Sequence, residues 1–207
     1  MGKSMPPVEV RKMMYEKAVN RCVVAKGDTM KNMKLNRAAV GQVVTYCAII
    51  AAQNLFDLDR DGVERWQVEL IRRSEVYTLE TNVYGTPKAR ENLRKRTAPK
   101  MKEDFTLPVE KWPRKEWERV QLYERRGEGD LVARFFVEVM DGLGYTTEEI
   151  AAALKEIQGN FRQFLEWSKD GEYVAYYKMD QCYEQATGIE AAIDEEPGAK
   201  PIFGKEI

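Results

Sequence analysis

The chain has 207 residues, of which 43% are apolar and 32% are charged, a balance that predicts a folded core rather than general disorder. It contains no histidine, which excludes histidine-dependent hydrolases and nucleases and every zinc site with a histidine ligand. The net charge of −1 combines a basic segment, residues 1–126 with net +9, and an acidic segment, residues 127–207 with net −10.

Apolar residues recur every three to four positions along most of the chain, a spacing that is typical of helices. Gly127 and Gly129 are predicted to break the chain between two of these helices. The predicted fold class is all-α, a multi-helix bundle without a strand. In chain order we predict helices at roughly 8–26, 36–55, 62–80, 86–96, 113–126, 130–141, 146–165 and 172–187.

Composition divides the chain into four predicted parts. Residues 1–96 form a basic helical subdomain, 97–112 a proline-containing connector, 113–189 an acidic helical subdomain and 190–207 a loose acidic tail. Asn54–Val63 and Asp141–Ile150 are similar at an offset of 87 residues. Two similar helical hairpins would explain this match, and chance agreement between two ordinary hairpins is the alternative.

Alternating aspartates followed by glycine resemble the first half of an EF-hand calcium loop. Asp57, Asp59 and Asp61 supply the carboxylates and Gly62 the turn. The carboxylate expected at the twelfth position falls one residue late, at Glu69, which would turn it about 100° around the helix. The alternative is a turn in which the aspartates cap the following helix.

A run of cations across the connector is the other candidate site. Its residues could contact phosphates, and the neighbouring aromatic side chains could stack on unpaired bases. The alternative is a solvated helix whose charges are neutralised by the acidic half, with the aromatic side chains anchoring the connector to the core. The candidate nucleic-acid or partner-binding residues are Lys88, Arg90, Arg94, Lys95, Arg96, Lys100, Lys102, Trp112, Arg114 and Lys115, and Arg72, Arg73, Arg125 and Arg126 could extend the patch.

The sequence indicates neither a cofactor nor a redox site. Cys22, Cys47 and Cys182 lack the spacing of metal or disulfide-exchange motifs and are predicted to be reduced core residues. No glycine-rich phosphate loop is present, so we predict a protein that is not an enzyme. The most apolar run, Val43–Ala52, is too short to span a bilayer, which favours a cytoplasmic location without membrane contact.

The apolar helix, the turn Asn54-Leu-Phe-Asp-Leu58 and its continuation Val63-Glu-Arg-Trp-Gln67 resemble small helical proteins of unknown function from phages and prophages of Gram-positive bacteria. The resemblance covers residues 36–80, with a weaker match at 130–168. It implies a mobile-element setting and a location in the host cytoplasm.

The functional expectation is a non-enzymatic binding protein whose partner is a protein or ribonucleoprotein complex. One role that fits this setting is inhibition of a host nucleic-acid-targeting defence complex, as anti-CRISPR proteins do, by covering its surface. The alternative is an accessory or regulatory protein that binds DNA or RNA through residues 88–102. A homodimer is compatible with either.

Overall fold

Helices make up most of the chain in the computed structural model, which describes residues 27–189, with side chains over 39–171 and 174–189. No strand occurs within these residues, so the all-α prediction is confirmed. The predicted helix at 8–26, Cys22 and the acidic tail lie outside the described residues. The elements are α1 Gly27–Phe56, α2 Arg60–Tyr84, α3 Thr86–Thr97, a 3-10 turn Ala98–Lys100, α4 Glu116–Gly142, α5 Thr147–Trp167 and α6 Glu172–Thr187.

The hydrophobic core lies around α1 and α4, which pack against each other. Helix α1 also packs against α5 and α6, and α4 packs against α2 and α3. The core contains residues from every one of these helices except the 3-10 turn, and aromatic pairs such as Trp66–Phe136, with ring centroids 4.9 Å apart, cross between them. One core cluster therefore includes residues from both the basic and the acidic segment.

The two halves of the bundle share landmarks at the offset seen in the sequence. Asp57 and Gly144 both have left-handed backbone, with φ of 48° and 88°. Asp59 and Thr146, the N-caps of α2 and α5, each accept a hydrogen bond from the backbone amide three residues later. We name α1–α3 unit 1 and α4–α6 unit 2. Because α1 packs on α5 and α6 as α4 packs on α2 and α3, the two units also have matching packing partners.

The predicted break at Gly127 and Gly129 is wrong, since α4 runs without interruption from Glu116 to Gly142. Gly129 instead allows a side chain of the connector to pack closely against α4. A Cβ there would lie 2.4 Å from Leu107 Cδ1, so only glycine lets the buried Leu107 side chain rest on the helix backbone. Asp130, which the sequence pattern places at a helix N-terminus, is inside α4.

The connector between the units is irregular from residue 101 to 115. Two of its apolar side chains, Phe105 and Leu107, are buried in the core. These two anchors fix the path of the connector along α4 and α5, and this path creates the groove described below.

One stretch of α1, Ala39–Phe56, is long and apolar enough to cross a membrane, with a mean hydropathy of 1.4. Half of this stretch is buried inside the protein, where Val43, Val44 and Cys47 lie in the core. A core helix meets the same criteria of length and hydropathy, so the stretch is weak evidence for a membrane span.

Candidate functional site

Most cations of the predicted basic run are paired with acidic side chains of the same chain. Four of them, Arg94, Arg96, Lys100 and Lys102, pair with residues of the acidic segment, namely Asp130, Glu138, Asp141 and Glu148, at 3.4, 2.6, 2.5 and 3.1 Å. Lys88 and Lys95 both pair with Glu91. These contacts neutralise much of the positive charge that residues 88–102 could offer to a phosphate backbone.

Arg96 is the most firmly held of these cations. Burial disfavours the charged guanidinium, but hydrogen bonds and charge interactions with Glu138 and Glu80 outweigh this cost, so the pKa of Arg96 is raised. Its Nη1 donates to Glu80 at 2.7 Å and its Nε to Glu138 at 2.6 Å. Arg96 therefore links α3 to both α2 and α4 and has a structural role.

A buried arginine, Arg134 of α4, ties the basic run and the connector to the core. It is 3% exposed and donates hydrogen bonds to Asp130 at 2.9 Å, Thr97 at 2.8 Å and Asp104 at 3.0 Å. Because a buried cation needs such partners, these contacts fix the end of α3 and the start of the connector relative to α4. The sequence analysis did not identify Arg134, although its spacing from Asp130 is that of an i,i+4 ion pair.

A groove of about 560 Å³ lies between the connector, the first half of α4 and α5. We call it the connector groove. Apolar side chains from all three elements line it, Leu107, Leu122 and Leu165 among them. Its lining also includes Trp112 and five cations, Lys111, Arg114, Lys115, Arg125 and Arg126.

Aromatic rings with large exposed areas stand at the connector groove and beside it. Trp112 is 50% exposed and meets Tyr123, itself 49% exposed, edge to face with ring centroids 6.3 Å apart. The guanidinium of Arg126 lies 5.6 Å from the Trp112 ring centre. Lys115 lies in the same way over Trp117, which is 47% exposed. Exposed aromatic rings that make cation–π contacts with neighbouring side chains are suited to stacking on a flat ligand.

Several cations of the connector groove have no acidic partner within the described part of the chain. Lys111, Arg114 and Arg125 make no ion pair there, whereas Lys115 pairs with Glu118. The Nε atoms of Arg125 and Arg126 are buried and lack a hydrogen-bond acceptor in the same described region. The groove thus combines apolar lining, exposed aromatic rings and cations that are available to an anion.

The three aspartates of the predicted calcium loop do not come together as a metal site. Among the side chains that the structure describes, at 39–171 and 174–189, no group of three aspartate, glutamate or cysteine residues is arranged to hold a metal ion. Asp59 instead caps α2, its carboxylate accepting a hydrogen bond from Gly62 N at 2.7 Å. Asp57 has left-handed backbone at the end of α1. The geometry matches the capping alternative.

The two described cysteines are reduced and lie on α1 and α6. Cys47 is fully buried, and burial raises the pKa of its thiol far above the ordinary range. Burial also raises the pKa of Cys182. Neither thiol is therefore activated as a nucleophile at neutral pH.

The structure separates the predicted binding residues into two groups. Trp112, Arg114 and Lys115 lie in the connector groove, with Arg125 and Arg126. Four cations of residues 88–102 instead form ion pairs with α4 and α5, and Lys88 and Lys95 pair with Glu91 of α3. Arg90 is half-buried, and its guanidinium lies next to Gly127. Sequence analysis missed Lys111 and Tyr123, whose only signal was their spacing from Trp112 and Arg126.

Neither the protein-family models, the curated proteins nor the solved structures yielded a match to this chain.

Proposed function

We propose that the protein is a non-catalytic binding protein that takes a single-stranded nucleic acid into the connector groove. The observation that carries the proposal is the position of Trp112, half exposed at a groove whose cations Lys111, Arg114 and Arg125 have no acidic partner among the described residues. Phosphates would meet the cations while unpaired bases stack on the aromatic rings.

A single strand suits this groove better than a duplex. Stacking on Trp112 requires a base whose face is free, and the bases of a duplex are stacked on one another. The described groove also lacks a helix presented for insertion into a major groove, since α4 and α5 contribute its walls. The ligand class that follows is unpaired DNA or RNA with little sequence preference.

The cations of residues 88–102 support the proposal less than those of the groove. Arg94, Arg96, Lys100 and Lys102 would each have to leave an acidic partner before contacting a phosphate. Binding through the groove requires no such exchange, so we assign the main contact to residues 111–126.

The first test compares two double charge reversals that change the net charge equally. Lys111→Glu with Arg114→Glu alters exposed cations of the groove, and Lys88→Glu with Lys95→Glu alters exposed cations paired with Glu91. Fluorescence anisotropy with a labelled oligonucleotide should show a loss of affinity of at least about tenfold for the groove variant, since lost phosphate contacts weaken binding, and a smaller loss for the other. Equal losses would contradict the assignment to the groove.

The second test removes the stacking platform without changing charge. Trp112→Ala should weaken the binding of a single strand by about 1–3 kcal/mol for a lost base stack. The affinity of the wild-type chain and of this variant should fall steeply with salt, and the fall should be shallower for the groove charge reversal, which has lost phosphate contacts. A wild-type chain that binds neither single-stranded DNA nor single-stranded RNA at low salt would overturn the proposed function.

Inhibition of a host nucleic-acid-targeting complex stays a prediction from the sequence. It depends on the opposed charges of the two halves, and four of the cations involved are paired within the chain.

A further inference from the structure

Helix α2 has a second apolar face that no other described element covers. On its core side Val63, Trp66 and Leu70 are buried. At about 100° of rotation per residue, the outer apolar residues lie within an arc of about 140° on the opposite side. They are Val68, Ile71, Val76, Leu79 and Val83, with exposed fractions of 62%, 58%, 42%, 64% and 70%. We call them, together with Arg72 and Glu75 between them, the α2 outer face.

The other half of the molecule shows that the fold does not need this apolar face. Helix α5 occupies the place in unit 2 that α2 has in unit 1, and the matching N-caps Asp59 and Thr146 set the offset at 87 residues. At that offset four of the apolar residues have polar counterparts in α5, namely Lys155, Gln158, Gln163 and Glu166, and Val83 matches Asp170, which follows the end of α5. An exposed apolar stripe that the architecture does not require is typical of an interaction surface.

The order of side chains along the α2 outer face identifies its partner. From its first residue to its last, this part of the face presents two apolar residues, a cation, an anion and two more apolar residues. They are Val68, Ile71, Arg72, Glu75, Val76 and Leu79. Read in the opposite direction, the order is the same except that cation and anion exchange places. Such a face is complementary to its own antiparallel copy, as a twofold-symmetric interface requires.

We propose that the α2 outer face is a dimer interface that binds the same face of a second copy of this chain. The two α2 helices run antiparallel, with the twofold axis between Arg73 and Ser74. Val68 then packs on Leu79 of the second copy near the centre line of the interface, while Ile71 and Val76 lie along its two opposite edges. Arg72 pairs with Glu75 of the second copy, and this contact occurs twice.

Both charged side chains are available for this pairing. Arg72 is 70% exposed and makes only a 3.5 Å contact with Glu69, while Glu75 is exposed and has no ion pair within the described region. Ion pairs at the centre of an apolar interface specify register and orientation more than they add affinity. The reciprocal pair therefore selects the antiparallel alignment over a shifted one.

The experiment measures mass by sedimentation of the full-length chain over roughly 1–100 μM, a range that captures micromolar dissociation constants. The wild-type chain should form a dimer. Ile71→Gln with Leu79→Glu, which copies the residues found at these positions in α5, should raise the dimer dissociation constant at least about tenfold. Thermal unfolding of this variant checks that it folds, and Lys155→Gln on the polar α5 face is the control that should leave the dimer intact.

Charge exchange tests the proposed alignment directly. Arg72→Glu alone and Glu75→Arg alone should each weaken the dimer, because like charges would then face each other. Mixing the two variants should restore association as a heterodimer, since every contact again joins opposite charges. Failure of the mixture to associate would overturn the antiparallel register. A wild-type chain that stays monomeric would overturn the proposed dimer interface, even if another partner covers the face. Oligonucleotide affinity at the connector groove is measured separately and decides neither result.

Discussion

At the scale of single residues, the two glycines in the middle of α4 have different roles. Gly129 sits under the side chain of Leu107, which is buried, while a Cβ at Gly127 would meet only the Arg90 guanidinium at 3.6 Å. Sequence analysis identified both as helix breakers because glycine lowers helix propensity. It could not show that a connector residue twenty-two positions earlier requires one of them.

This difference leads to a matched pair of substitutions. Gly129→Ala should lower the free energy of unfolding by about 1–3 kcal/mol, because the new Cβ displaces the packed Leu107 side chain. Gly127→Ala should leave it unchanged or raise it by up to about 1 kcal/mol, since alanine favours the helix. Urea unfolding followed by circular dichroism measures both. If the two variants are equally stable, the packing of the Leu107 side chain does not require a glycine at position 129.

At the scale of elements, local signals predicted the helices well where a cap or an apolar stripe was present. Thr146 with Glu149 predicted the start of α5 correctly, and the structure shows both hydrogen bonds of the capping box. The aspartate-rich turn before α2 was harder, because the same residues suit a cap and half of a calcium loop. Only the positions of the side chains separate the two interpretations, and Asp59 is bonded to the helix N-terminus.

The cap of α2 can be tested by comparing two neighbouring aspartates. Asp59→Ala should lower the free energy of unfolding by about 1 kcal/mol, since the amide of Gly62 loses its acceptor. Asp61→Ala is the control because its side chain makes no capping bond, and only a few tenths of a kcal/mol of helix-dipole stabilisation should be lost. Thermal or urea unfolding measures both, and an equal loss at the two positions would contradict the capping role.

At the scale of the whole molecule, the sequence revealed the division of charge but not its arrangement. Whether Arg94 and Lys102 face solvent, a partner or the acidic half depends on contacts between residues far apart in the chain. Helical periodicity reports only on neighbours within one helix, so it does not predict these contacts. The structure brings them to Asp130 and Glu148. For the same reason the connector groove was predicted only in part, since Trp112 and Arg126 become neighbours through the path of the connector.

The continuous core has a consequence for unfolding. Since one cluster includes α1, α2, α4, α5 and α6, denaturation in urea should show a single transition that coincides by circular dichroism and by tryptophan fluorescence. Trp66 reports on α2 and Trp167 on the end of α5, so both units contribute to the fluorescence signal. Two separate transitions would instead support independent subdomains at 1–96 and 113–189.

The contrast between α2 and α5 also determines how far association could proceed. A chain made of two like units could polymerise without end if each unit carried an adhesive surface. Here the positions of unit 2 that match the α2 outer face, from Lys155 to Asp170, carry polar residues, so the contact proposed for unit 1 has no counterpart there. In the proposed dimer the α2 outer face of each chain covers that of the other, so this contact by itself closes at two molecules and does not extend into a fibre.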